Sequence, residues 1–394
     1  MRKIIFIFLF ISLVFSKEQI LLELKPGEEF YQNLNPKSCN SSCLFELLES
    51  KMYLSFLAEF IEQNDQFLSN VYAKLLNSIT DFESKFQKIT SVKLAIIIPE
   101  NTIKSYSSTI INSSIAYLLR QRAEIKVKVF LIGTEENAKI QSTLEQIKAQ
   151  GYQYAIAGFT LNGVNALKNY SDSLKIFIPT IHKNNTQISN PNIIFGSIDY
   201  EAQIKTLLSK TKGNIAIFSD NQALSNNLNS IILKETEARI YKLDGEKLDF
   251  ARLLKSQGSL DEAAIFFNTS LIKTALSSSQ LRIYDINPAL LLSTQINYNQ
   301  AFLNLTQEND RKNFIIANSI NNKDESLSYI NEIFNQNINY NWVAYATSIG
   351  VDYFYTNFLN KESQSLFDEN LNEFQVDYKV RLMKATQGSF EDLE

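Results

Sequence analysis

The chain of 394 residues is 45% hydrophobic and 20% charged, ordinary globular composition with enough apolar content for two packed domains and a smaller element, which rules out an intrinsically disordered chain. Its 38 Lys and Arg are interleaved with 42 Asp and Glu for a net charge of −4, and no basic cluster alternates with aromatics, so nucleic acid is not an expected partner.

Residues 1–16, MRKIIFIFLFISLVFS, place Arg2 and Lys3 before an apolar run, Ile4–Phe15, and polar Lys17 and Glu18 follow. That order is a cleavable signal peptide with Ser16 as its last residue, and it implies export to the periplasm. The run falls short of the roughly 20 residues that cross a bilayer, so an uncleaved anchor is the lesser alternative. No Cys follows it, so a lipid anchor is not expected.

The two cysteines, Cys39 and Cys43, stand four apart. In an oxidising compartment a disulfide is expected, with free thiols or a metal as lesser alternatives. Zinc would need two further ligands, and the only histidine, His182, is remote in sequence. Helical positions four apart have Cα atoms about 6 Å apart, near the disulfide limit, so the pair belongs at a turn leading into a helix.

Residues 17–90 read as a polar extended leader followed by a helical hairpin over Leu44–Phe86. Leu44, Leu47, Leu48, Tyr53, Phe56, Leu57, Phe60 and Ile61 recur at helical spacing, and Phe67, Val71, Leu75 and Ile79 repeat it after Asn64-Asp65. Each helix carries one apolar stripe, which must be buried on the rest of the chain or on a partner.

Val92–Pro99, VKLAIIIP, is a strand buried on both faces of a parallel sheet. A helix over Ser105–Arg122, a strand over Lys126–Ile132 and a helix over Glu135–Gln150 follow. Then comes the central unit, Tyr154–Thr180, which is strand, Gly-bearing loop, helix and strand in sequence. Strand and helix alternate in the same way after Asn214 until the strand Phe314–Ala317. Helices over Asp324–Asn335 and Trp342–Leu359 and an alternating segment, Phe374–Lys384, complete the chain. This is an α/β protein of two doubly wound parallel-sheet lobes preceded by a helical hairpin. Lobe 1 takes 91–195 plus 318–394, and lobe 2 takes 196–317.

Ligands of such folds lie beyond the carboxyl ends of the strands. A ligand between the lobes would therefore meet Asn101, Ser105, Thr160, Thr180 and His182 from lobe 1 and Tyr298 from lobe 2. No catalytic group stands out. Gly158–Gly163 has the glycine spacing of a phosphate loop, but Val164 and Asn165 occupy the places of its Lys and Ser/Thr, so a tight turn is the better reading. A Ser-His-Asp triad would rest on His182 with no nucleophile elbow beside it. The chain is not expected to be an enzyme, and no cofactor is implied. Glu135-Glu136 and Asp261-Glu262 stand at helix starts, where carboxylates favour the dipole.

Several segments together carry a resemblance: VKLAIIIP, the run KVKVFLIGTEENAKIQSTLEQIKAQGYQYAIAGFT, IFIPT, the lobe crossing PNIIFGSIDYEAQI, and NIAIFSDN opening the second lobe. They resemble the type I periplasmic-binding-protein family, which includes the branched-chain amino-acid-binding proteins. The Gly-rich loop and the hydroxyl cluster usual in its amino-acid binders are replaced by Glu100-Asn101-Thr102-Ile103 and Thr180-Ile181-His182-Lys183. The segment LLLSTQINYN, Leu290–Asn299, and the helices ahead of the sheet are more similar to the periplasmic-binding-protein-like activators of penicillin-binding proteins. That resemblance implies a non-catalytic protein acting by contact with a cell-envelope protein partner. The alternative it leaves is a solute-binding protein that closes its lobes on a small polar ligand.

Overall fold

The computed structural model describes residues 18–24, 39–61, 65–79, 90–243, 245, 248–255 and 258–393. Residues 1–16 and the hairpin positions 80–86 lie outside them.

Two sheets organise the chain. The first holds β1 (Glu18–Leu24), β2 (Ser91–Ile98), β3 (Glu124–Leu131), β4 (Tyr154–Ala157), β5 (Lys175–Ile178) and β6 (Ile193–Phe195). The second begins with β7 (Ile215–Ser219), β8 (Arg239–Lys242), β9 (Ala264–Asn268), β10 (Leu290–Ser293) and β11 (Phe314–Asn318). The chain then returns to the first sheet with β12 (Asn370–Asn372) and β13 (Gln375–Asp377), and ends in the second with β14 (Arg381–Ala385) and β15 (Phe390–Asp392). Their orders are β1-β3-β2-β4-β5-β6-β13-β12 and β15-β14-β11-β10-β9-β7-β8.

Each sheet has the same parallel nucleus, β3-β2-β4-β5-β6 in one and β8-β7-β9-β10-β11 in the other. The first strand of each series sits inside and the later ones add to one side, the doubly wound pattern that leaves ligand room at the strand ends. β2 shows why such a strand reads as continuously apolar. Leu94, Ile96 and Ile98 enter the core under the Tyr106–Arg120 and Trp342–Phe354 helices, while Ala95 and Ile97 enter the core under the Asn137–Ala149 helix. From Leu94 to Ile98 both faces are dry, so neither parity tolerates a polar residue there.

Two features depart from the reading by pattern. Glu18–Leu24, expected as an extended leader, is an antiparallel edge strand on β3, with Gln19 opposite Val129 and Leu24 opposite Ile125. Residues 381–392, expected in lobe 1, belong to the second sheet, where β14 lies antiparallel to β11 and β15 closes the edge. The alternating pattern over Phe374–Lys384 is therefore two short strands in different sheets, split at Tyr378-Lys379-Val380. The peptide crosses between lobes three times, at 196–199, 319–324 and 378–380.

The helical segment comprises α1 (Ser41–Glu49), α2 (Tyr53–Glu59) and α3 (Gln66–Ile79). The first arm of the hairpin is thus broken in two, at Lys51, whose φ of 57° ends the helical run. Asn40 caps α1 by accepting from the Cys43 amide at 3.0 Å, and the Cys39–Cys43 disulfide with Cα atoms 5.4 Å apart staples that same turn. Leu44, Phe56, Leu57, Leu68 and Leu75 bury their stripes together, and Tyr329 and Ile333 of the Glu325–Ile333 helix complete this small core. The segment therefore packs on lobe 1. Lys74 pairs with Glu325 at 2.8 Å, and the Ser78 and Ser326 hydroxyls lie 2.7 Å apart.

Candidate functional site

Between the lobes lies a cavity of about 690 Å³, within the range usual for small-ligand sites. Three parts of the chain meet there: Ser105 to Asn112 at the start of the Tyr106–Arg120 helix, Asn299 to Asn304 of lobe 2, and the Phe334–Asn341 connection of lobe 1. Lys51 reaches its edge from the helical segment.

Its side chains are mainly amides and hydroxyls. Some are committed to the backbone: Asn299 accepts from the Ala301 amide at 2.9 Å, Asn341 from Ala344 at 3.2 Å and Asn337 from Asn339 at 3.0 Å. Such Asx caps fix the walls. Gln300 and Asn304 stand exposed on the lobe 2 side and Asn335 on the lobe 1 side. The Lys51 ammonium is paired with Glu332 at 2.7 Å. The lining therefore offers neutral hydrogen-bond donors and acceptors, with Tyr340 as an aromatic surface, and suits an uncharged polar ligand or a peptide segment. Among the described residues no group of three His, Cys, Asp or Glu side chains could hold a metal ion, and no helix is long and apolar enough to cross a membrane.

Of the six residues expected around an interlobe ligand, one is found at this cavity. Ser105 lines this one. Asn101 is exposed, on the short Glu100–Ile103 helix, and its amide donates to the Gly133 carbonyl at 2.9 Å. Thr160 caps the Leu161–Asn165 helix by accepting from Asn162, and donates its hydroxyl proton to Glu135. The same Glu135 carboxylate accepts from the Thr160 amide at 2.6 Å and the Gly163 amide at 3.1 Å. Thr180 donates to the Phe159 carbonyl at 2.5 Å. These threonines are tied into the ends of β4 and β5, and their hydroxyls are already in use.

His182 accepts from the Asn184 amide through Nδ1 at 3.2 Å, while its Nε2 stands 3.9 Å from Asp199, itself the cap of the Tyr200–Leu208 helix. Burial pushes its pKa below the usual histidine value, against the opposing pull of Asp199 and Glu201. It lines a different cavity, of about 320 Å³, beside Gln375 and Tyr378 at the lobe crossings. Tyr298 packs on Tyr340 at 5.2 Å and Phe390 at 4.8 Å, an aromatic cluster joining the lobes, and burial pushes its pKa up to about 12.

Pattern alone missed Lys51, Asn304 and the Asn335–Asn341 loop. The signal available was local: an Asn-rich run directly after a lobe 2 strand, and Asn-X-Ser/Thr sequons at Asn112 and Asn304, which are frequent by chance in so Asn-rich a chain.

No family model and no curated protein matches the sequence. Solved structures do match. Full-length LpoA from Haemophilus influenzae aligns with a TM-score of 0.54 at 11% identity, covering 89% of this chain and 68% of that one. The C-domain of LpoA from the same organism, described as a regulator of PBP1A, aligns at 0.51 and 10% identity over 77% of this chain and 100% of its own. A solute-binding protein of an ABC transporter from Rhodopseudomonas palustris, in complex with p-hydroxybenzoic acid, aligns at 0.55 and 10% identity over 77% and 96%. This chain has the type I periplasmic-binding-protein fold that these regulators and solute binders share.

Proposed function

We propose that this protein is a non-catalytic, exported component of the cell envelope that acts by contact with a protein partner, in the manner of a regulator of peptidoglycan synthesis. One observation carries the reading. The likeness to full-length LpoA takes in 89% of this chain, against 77% for its C-domain or for the solute binder, so it extends beyond the two lobes. The helical segment also has a surface to offer: Phe45 and Phe67 stack at 5.8 Å with their rings partly in solvent, and Met52, Leu54 and Ile61 are exposed on the same small unit. Apolar side chains gathered on so small a unit fit a protein contact.

A photo-crosslinking residue at position 67, in the cells that make the protein and with a fluorescent penicillin marking penicillin-binding proteins, tests this. The expected product is a penicillin-labelled adduct that disappears when Phe45 is replaced by Ser. Crosslinking to no envelope protein would overturn the reading.

The second reading, a solute-binding protein for a small polar ligand, is favoured by the interlobe cavity and its amide lining. A ligand present at 100 times its Kd would stabilise the chain by about 2.7 kcal/mol, which thermal melting against amino acids, peptides and wall fragments detects.

A further inference from the structure

Between Cys39 and Ile79 the chain carries five carboxylates, Glu46, Glu49, Glu59, Glu62 and Asp65, against two cations, Lys51 and Lys74. Both lysines are engaged by lobe 1: Lys51 pairs with Glu332 at 2.7 Å and Lys74 with Glu325 at 2.8 Å. The cations of the helical segment are thus matched by lobe 1, and the charge it offers to a partner is negative.

That charge and the exposed rings share one face. Leu44, Leu47 and Leu48 take the core side of α1, which leaves Phe45, Glu46 and Glu49 together on its exposed side. Among the described residues neither Glu46 nor Glu49 is in an ion pair or a side-chain hydrogen bond. Phe45 stacks on Phe67 with 11° between the ring planes, and the two are 39% and 57% exposed. Asp65, directly ahead of α3, accepts from the Phe67 and Leu68 amides at 2.9 and 3.1 Å, which holds a third carboxylate near the rings. Aromatic faces beside carboxylates attract a cation in two ways, through the ring quadrupole and through charge.

These charges decide among the occupants an apolar face could take. A second copy joined through the same face about a two-fold axis would set Glu46 and Glu49 of one chain against those of the other. An anionic lipid surface would meet carboxylates where interfacial helices carry Lys and Arg. A segment both apolar and basic matches the whole face. We propose that this face of α1 and α3 receives a basic amphipathic helix of the partner protein, with two Arg or Lys side chains one turn apart beside an apolar residue. The apolar residue lies against Phe45 and Phe67, and the cations reach Glu46 and Glu49, which are themselves one helical turn apart. The inference rests on the contact reading and adds the chemistry of the partner's surface.

Two synthetic amphipathic helices with the same apolar residues, one with Arg and one with Glu on the polar face, probe the mature full-length chain by fluorescence anisotropy. The Arg helix should bind, and the Glu helix at least about 10-fold more weakly. Glu46→Lys with Glu49→Lys should weaken the Arg helix at least about 10-fold, Glu46→Gln with Glu49→Gln should fall between, and Phe45→Ser should weaken it as well. Glu145→Lys with Glu308→Lys makes the same change in net charge at exposed positions elsewhere and should leave the affinity within about 2-fold. The proposal falls if the two helices bind alike or if reversing Glu145 and Glu308 matters as much as reversing Glu46 and Glu49. It falls equally if the chain instead binds phosphatidylglycerol vesicles or forms a dimer that Phe45→Ser dissolves. In the cells that make the protein, a photo-crosslinking residue at position 70, exposed on α3, leaves both rings in place. No adduct with an envelope protein overturns the contact reading and its partner together, whereas an adduct that survives Glu46→Lys with Glu49→Lys overturns only the basic helix.

Discussion

The Lys51 ammonium lies 2.7 Å from a carboxylate oxygen of Glu332, and so ties the break between α1 and α2 to the Glu325–Ile333 helix of lobe 1. The other oxygen of the same carboxylate accepts the Tyr53 hydroxyl. Burial, reinforced by that hydrogen bond, pushes the Tyr53 phenol well above the usual tyrosine range, so it stays a donor. Tyr53 also meets Tyr329 edge-on at 5.4 Å.

Glu332→Ala strips both donors of their partner. The expected loss is about 1–3 kcal/mol of docking stability, since the hydroxyl of buried Tyr53 is left unmatched. It should appear as faster protease cleavage within 41–79 while the lobes remain intact. Cleavage at the wild-type rate would place the docking on the apolar contacts with Tyr329 and Ile333 and on the Lys74–Glu325 and Ser78–Ser326 contacts.

Gly350→Ala should destabilise lobe 1, although Ala normally gains about 1 kcal/mol over Gly inside a helix. The steric term has the larger magnitude here. A methyl group on Gly350 would sit 2.3 Å from Cδ1 of Phe177, a ring that a methyl group on Gly196 would also meet, 2.4 Å from Cζ. Overpacking of a closed core costs roughly 1–3 kcal/mol. A Phe177→Leu change in the Gly350→Ala background should recover part of that loss, and a double-mutant cycle by urea denaturation with no coupling between the two positions would refute the contact.

The fold was legible in the sequence where burial is two-sided. A strand such as Ser91–Ile98 has no polar residue from Leu94 onward and sits between helices of regular spacing, so its type and neighbours follow from pattern. The destinations of the last strands were not legible, because Gln375–Asp377 and Arg381–Ala385 are both short and are assigned to different sheets by a turn of three residues. The candidate site was legible only by position. Ser105 follows a strand end and does line the interlobe cavity, whereas Thr160 and Thr180 follow strand ends and spend their hydroxyls on Glu135 and the Phe159 carbonyl. Whether a hydroxyl is free depends on partners 21 and 25 residues away, which no local pattern records.

A pH dependence follows from Asp352. Its carboxylate is enclosed beneath the Trp342–Phe354 helix and accepts from the Tyr117 hydroxyl at 2.8 Å, Ser365 at 2.7 Å and the Leu366 amide at 3.0 Å. Burial outweighs these and holds its pKa above the model-peptide value. The folded state therefore binds the proton more tightly than the unfolded chain, and stability falls as pH rises from the ordinary Asp value, near 4, through the raised folded value. Asp352→Asn removes that titration. Unfolding free energies measured from pH 4 to pH 8 should show the variant gaining on the wild type as pH rises, with Glu369, which shifts the same way, contributing equally to both. Parallel curves would mean that the hydrogen bonds offset the burial in full.

Thr160→Val and Asn304→Ala should behave in opposite ways. Thr160 is a helix cap whose hydroxyl and amide both serve the Glu135 carboxylate. Valine keeps the shape and the amide bond but removes the cap and one donor to a buried-side carboxylate, at about 1 kcal/mol. Asn304 is exposed on the wall of the interlobe cavity, and its truncation should leave the melting temperature within error, as surface substitutions do. For any solute that raises the wild-type melting temperature through the interlobe cavity, the roles reverse: Thr160→Val keeps the ligand-induced shift from a lower starting temperature, and Asn304→Ala reduces it. If the shift is lost with Thr160→Val and kept with Asn304→Ala, the ligand lies at the carboxyl ends of β4 and β5, and the amide-lined cavity is not its site.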